Sequence, residues 1–121
     1  MVKETKTVLI VDDDENITRT FARILQKKGY NTDTAKNGKE AIQKANAKFY
    51  AVALIDICLS DLNGMELLDK LDDHDGKMVK IIITGFPTMA PKKGARADAY
   101  LLKPVKPQEL LSIIDEKTKE K

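Results

Sequence analysis

The sequence predicts an α/β fold, a doubly wound parallel sheet with helices on both faces. Three observations lead there. Short, almost unbroken apolar runs recur along the chain, helical patterns lie between them, and polar residues stand directly after the runs. Continuous apolar runs suit parallel strands buried on both faces, whereas half-exposed strands alternate. Strand and helix patterns taken in turn imply right-handed crossovers, which leave only a few topologies.

Val8-Leu9-Ile10-Val11 is the first strand. Asp14 can cap a first helix in which Ile17, Phe21, Ile24, Leu25 and Lys28 follow 3.6-residue spacing, with Gly29 as its stop. Residues 31–35, Asn-Thr-Asp-Thr-Ala, are polar and alternating, as suits an edge strand. Ala41, Ile42 and Ala45 predict a second helix after Asn37-Gly38, and Ala51-Val52-Ala53-Leu54-Ile55 a third strand. Met65, Leu67, Leu68 and Leu71 give the next helix, entered through Asn63-Gly64. Val79 with Ile81-Ile82-Ile83 is the fourth strand, and Tyr100-Leu101-Leu102 is a weaker fifth. Leu110, Leu111, Ile113 and Ile114 mark the last helix, with Pro107 near its first turn and lysines near its end. Between the fourth and fifth strands, Pro87, Pro91 and Gly94 crowd the stretch Thr88 to Ala97. Proline inside a helix removes a donor and clashes with the preceding turn, so the fourth helix is expected to be shortened or missing. Five strands suggest the flavodoxin-like order 2-1-3-4-5, whose crevice lies at the carboxyl ends of strands 1 and 3.

Composition narrows the function. At 121 residues the chain reads as a single domain over 1–121, large enough to bury a core without staples. Twenty-one basic against nineteen acidic residues give a net charge of +2, too balanced to argue for nucleic-acid or membrane binding. One cysteine, Cys58, cannot form an internal disulfide and suits a reducing compartment, so the expected location is cytoplasmic. The apolar runs fall far short of the roughly 20 residues that a membrane helix needs.

Chemistry is expected at one rim. Asp12 and Asp13 follow the first strand, Asp56 the third, Thr84 the fourth and Lys103 the fifth. In a parallel sheet these ends share an edge, so the five residues converge. Carboxylates about 5 Å apart at an effective dielectric of about 20 repel by roughly 3 kcal/mol per pair. A hard divalent cation with oxygen ligands removes that cost, and Mg²⁺ suits a site of a few carboxylates. Lys103 adds a second positive charge, and the Thr84 hydroxyl can donate to a phosphoryl oxygen. The set amounts to a carboxylate nucleophile inside a charge clamp, which is most of what phosphoryl transfer requires.

With these residues in place, the chain resembles the receiver domain of two-component response regulators over essentially its whole length. The resemblance rests on Val8 to Asp14, on Asp56 with Gly64 eight residues on, on Ile83-Thr84-Gly85, and on Tyr100-Leu101-Leu102-Lys103-Pro104. It implies that Asp56 accepts a phosphoryl group from a sensor histidine kinase or phosphotransfer protein, and that a surface then changes for a downstream protein. It implies a Mg²⁺ pocket of Asp12, Asp13, Asp56 and the backbone carbonyl of Cys58. Thr84 and Lys103 would contact the phosphoryl group, Lys103-Pro104 would be joined by a cis peptide, and Thr84 with Tyr100 would act as the switch pair. Such a domain is a switch rather than an enzyme, assisting only its own phosphorylation and dephosphorylation. The sequence departs from the family where Leu59-Ser60 replaces a frequent Met-Pro, and where the stretch from Thr84 to Lys103 is shorter than usual.

Two other readings compete. Asp12-x-Asp14 after the first strand resembles the nucleophile and acid pair of haloacid-dehalogenase-like phosphatases, although the chain is short and a late acidic pair is missing. A phosphorylation-independent pseudo-receiver would bind partners only, but it requires loss of an acidic residue or of Lys103, and all are present.

Overall fold

The computed structural model describes residues 6–71, 76–85 and 97–119. Its elements follow in the order β1 (Thr7–Val11), α1 (Glu15–Lys27), β2 (Asn31–Ala35), α2 (Gly38–Ala47), β3 (Val52–Asp56), α3 (Gly64–Lys70), β4 (Val79–Thr84), β5 (Ala99–Leu102) and α4 (Pro107–Lys119). All neighbouring strands pair in parallel, in the order β2-β1-β3-β4-β5. The flavodoxin-like arrangement is therefore present. The expected shortening of a helix between β4 and β5 concerns residues 88–97, and residues 86–96 lie outside the described ones.

The pleat explains why the strands read as continuous apolar runs. Successive side chains point to opposite faces. Leu9, Val11, Ala53, Ile55 and Ile82 join a cluster with Ala41 and Ala45 of α2 and Leu67 and Leu68 of α3. Val8, Ile10, Val52, Leu54, Ile81 and Ile83 join another with Phe21 and Leu25 of α1 and Leu110 and Ile114 of α4. Both faces are covered, so both sets of alternate positions must be apolar. β2 is an edge strand with one fully buried residue, Ala35, and its polar alternation follows from that position.

The helix ends follow local chemistry. Asp14, Asn37 and Asn63 cap α1, α2 and α3, their side chains accepting from the main-chain N–H of Asn16, Glu40 and Met65. Gly29 takes φ of 91° after α1, a left-handed conformation that favours glycine. Lys103–Pro104 is a cis peptide bond. Among the described residues, no helix is long and apolar enough to cross a membrane.

Candidate functional site

The strands deliver their polar residues to one edge. Asp12 leaves β1 with its N–H on the carbonyl of Ala35 at 3.1 Å, and its Oδ1 accepts from the N–H of Asp14 at 2.9 Å. The main chain thus fixes the carboxylate while the adjoining strand is buried. Asp56 is the last residue of β3 and pairs with Ile83. Its Oδ1 lies 3.4 Å from the N–H of Cys58. Asp12 and Asp56 are both buried, at 5% and 8% exposure, whereas Asp13 is open to solvent. The three can offer carboxylate oxygens all within 4.8 Å of one another.

Lys103 completes the cluster. Its N–H donates to the carbonyl of Thr84 at 2.8 Å, which anchors the residue just past β5. Its Nζ lies 3.3 Å from Asp12 Oδ2 and 3.5 Å from Asp56 Oδ1, bridging the two buried carboxylates. Burial alone would lower the lysine pKa, but Asp12 and Asp56 together outweigh it and hold the ammonium above its ordinary value. The opposite balance holds at Asp56. Burial, reinforced by the charge of Asp12, pushes its carboxyl above the usual range despite Lys103 and the Cys58 N–H. One monovalent ammonium therefore leaves the site short of positive charge.

Thr84 ends β4 and is almost fully buried beside Leu102. Tyr100 pairs with Ile82 and packs against the cluster that holds α2 and α3. Its hydroxyl is buried, and burial pushes its pKa up against a contact with the Ala97 main chain. Cys58 is exposed, and its backbone bridges to Asn63 across the loop that follows Asp56. Asp14, the second carboxylate of the phosphatase reading, is exposed and occupied as the α1 cap.

Three features escape a linear reading. Gly64 opens α3 with its N–H on the carbonyl of Ile57 at 2.9 Å, and a β-carbon there would lie 2.7 Å from the Asp56 carbonyl oxygen. Asp61, in the loop after Asp56, accepts from main-chain N–H groups of α2. A largely apolar groove of about 470 Å³ runs beside the acidic cluster, lined by Ile17, Thr20 and Phe21 of α1 and by Lys103, Pro104 and Val105. The Asp56-to-Gly64 spacing was the one visible trace of the first; the others join residues remote in sequence.

Residues 8–115 match the response regulator receiver domain family. The chain belongs to this family. Among curated relatives, response regulator ArlR of Staphylococcus aureus is 31% identical over 109 residues, covering 88% of this chain and 50% of its own length. The chain thus spans about half the length of the curated relatives it matches. A receiver domain protein described as CheY-like, from Methanospirillum hungatei, is 38% identical with a TM-score of 0.87, over 97% of this chain and 96% of that one. The response regulator TrrA of Thermotoga maritima, solved in complex with Mg(2+)-BeF, is 28% identical with a TM-score of 0.84, over 93% of this chain and 98% of that one. Receiver domains are signalling switches of two-component systems, and the acidic cluster of this chain occupies the crevice where its fold places function.

Proposed function

We propose that this receiver is a phosphorylation switch of one domain over 1–121, and that Asp56 is its phosphoacceptor. The observation that carries the reading is Lys103 Nζ between Asp12 Oδ2 and Asp56 Oδ1, beside the exposed Asp13. A carboxylate oxygen of Asp56 attacks the phosphorus of a phosphohistidine on a sensor histidine kinase or phosphotransfer protein, and the P–N bond breaks. Lys103, whose charge is reinforced by its neighbours, binds phosphoryl oxygen, and the Thr84 hydroxyl donates to another. Asp12, Asp13, Asp56 and the Cys58 carbonyl are the residues to hold Mg²⁺, and the excess negative charge of the cluster fits a divalent ion. Bound there, the ion would neutralise the carboxylates and the phosphoryl oxygens.

The groove between α1 and Pro104 shares Lys103 with the acidic site, which makes it the apolar surface offered to a phosphoryl donor. Reorientation of Thr84 toward the phosphoryl group would free space for Tyr100, which packs against the cluster that holds α2 and α3. A downstream protein would read the resulting surface. The near-balanced charge and the single cysteine support a cytoplasmic protein that works through protein partners rather than nucleic acid or membrane.

Incubation with acetyl phosphate and Mg²⁺ followed by peptide-level mass spectrometry tests the assignment. Phosphate is expected on Asp56 and nowhere else. Label on Asp12, or turnover of phosphate esters, would move the protein to the phosphatase reading; an unmodified chain would make it a binding module.

A further inference from the structure

The connection from Asp56 to α3 forms one wall of the acidic site, because Cys58 donates its N–H to Asp56 Oδ1. That connection must be held from outside. At its base, the N–H of Ile57 donates to Ile83 and the N–H of Gly64 to Ile57. At its tip stands Ser60, whose φ no ring fixes, and then Asp61.

Asp61 reaches α2, more than twenty positions back. Its Oδ1 accepts the N–H of Gly38 at 2.8 Å and its Oδ2 the N–H of Lys39 at 2.9 Å. Asn37 takes the N–H of Glu40 with its side chain and that of Ala41 with its carbonyl. The N–H groups of Gly38, Lys39 and Glu40, which have no partner within the helix, are thus all satisfied, two of them by a distant loop. Those two N–H groups hold the Asp61 carboxyl below its ordinary range. Leu62 closes the same contact, since a β-carbon on Gly38 would lie 2.6 Å from Leu62 Cδ1 and 3.2 Å from Asp61 Oδ1. Glycine at 38 is what lets the loop sit down on α2.

From this geometry we propose that Asp61 is a positioning residue for the phosphoacceptor site. It clamps the 57–63 loop onto the start of α2 and so holds the Cys58 main chain against Asp56. The inference rests on the reading of Asp12, Asp13 and Asp56 as a Mg²⁺ and phosphoryl site. A cap alone would make Asp61 matter to stability only; a positioning residue makes it matter to the pocket.

The test compares wild type, Asp61→Asn, Asp61→Ala and Gly38→Ala by amide NMR, Mg²⁺ calorimetry and phosphorylation from acetyl phosphate. Asp61→Ala should shift the amide resonances of Asp56 and Cys58 as well as those of Gly38 and Lys39. Its Mg²⁺ dissociation constant should rise about tenfold, the low end for losing an outer support of a metal ligand. Asp61→Asn keeps one accepting oxygen and should fall between the two. Gly38→Ala, which presses on Leu62 and on Asp61 Oδ1 from the other side, should reproduce the Cys58 shift with Asp61 itself unaltered. Resonances that move only in α2, with Mg²⁺ affinity and phosphorylation at wild-type values, would overturn the proposal. If wild type itself binds no Mg²⁺ and takes no phosphate, the site reading fails, and the Cys58 and Asp56 resonances alone decide the clamp.

Discussion

Gly64→Ala tests how tightly α3 is built against Asp56, the proposed phosphoacceptor. The added β-carbon would stand 2.7 Å from the Asp56 carbonyl oxygen, 2.8 Å from Ile57 Cα and 3.2 Å from Ile55 Cγ2. Two of these atoms are backbone, so no side-chain rotation relieves the clash. Ordinary contact begins at 3.4 Å, so α3 and the end of β3 must part by about 0.7 Å. Overpacking of this kind costs about 1–3 kcal/mol. Alanine's better helix propensity returns less than about 1 kcal/mol, because the site is the first helical position. A net loss of about 1–2 kcal/mol should lower the melting temperature of a domain this size by roughly 3–10 °C. The displaced atom belongs to Asp56 itself, and misplacing a reacting group by about 1 Å costs on the order of 100-fold in rate. Phosphorylation from acetyl phosphate, followed at a temperature where the variant is fully folded, should therefore slow by at least about tenfold. A variant within about 0.5 kcal/mol of wild type and phosphorylated at the same rate would refute the argument.

Three further predictions follow from the charges. Because burial and then Asp12 raise the Asp56 pKa, the folded protein holds that proton more tightly than the unfolded chain, and the site loses stability as pH rises above about 4. Asp56→Asn should thus be more stable than wild type at pH 7 without divalent cations; urea unfolding at pH 7 and pH 3 should show the advantage disappear in acid. Mg²⁺ at 100 times its dissociation constant should stabilise the wild type by about 2.7 kcal/mol, with Asp13→Asn weakening the response; a melting temperature indifferent to Mg²⁺ would count against the pocket. Tyr50→Phe removes the hydroxyl that donates to Asp33 Oδ2 at 2.6 Å while keeping a fully buried ring, and should cost about 1 kcal/mol at neutral pH. The Tyr50 hydrogen bond is the main reason the Asp33 pKa is lowered, so its contribution is present above the ordinary carboxylate range and fades as pH falls through the lowered value. The gap between Tyr50→Phe and wild type should shrink in acid by the same denaturation assay.

The sheet was legible because its two buried faces leave no room for a polar alternate position. Val8 to Val11 and Val52 to Ile55 have no reading other than buried segments, and their length and β-branching make them strands. Lys80 is the exception inside such a run. It is buried in β4, with Nζ 3.4 Å from the Leu68 carbonyl, a partner that the packing of α3 supplies and the strand's own sequence does not show. The caps Asp14, Asn37 and Asn63 were legible for the opposite reason, since each acts within three residues of itself. Asp61 has the same chemistry, yet its partners Gly38 and Lys39 belong to another helix, and nothing local distinguishes it from a solvated turn residue. The groove at Phe21 and Val105 escaped notice likewise, because the apolar stripe of α1 reads as core along its whole length.

The site residues stood out because they make no sense as packing. A carboxylate such as Asp56, placed last in a strand whose every residue is buried, loses solvation and gains no apolar contact. Asp12 is buried just past the adjoining strand, and the one lysine the two share leaves the Asp56 carboxyl above its ordinary range. A chain that needed only stability would put asparagine or a hydrophobe at both positions. Keeping both acids against Lys103 leaves an excess of negative charge, which fits the divalent ion of the proposed reading. On the proposed reading, the unfavourable burial of the Asp56 charge serves the site rather than the core. Its measure is the stability that Asp56→Asn gains in the absence of Mg²⁺.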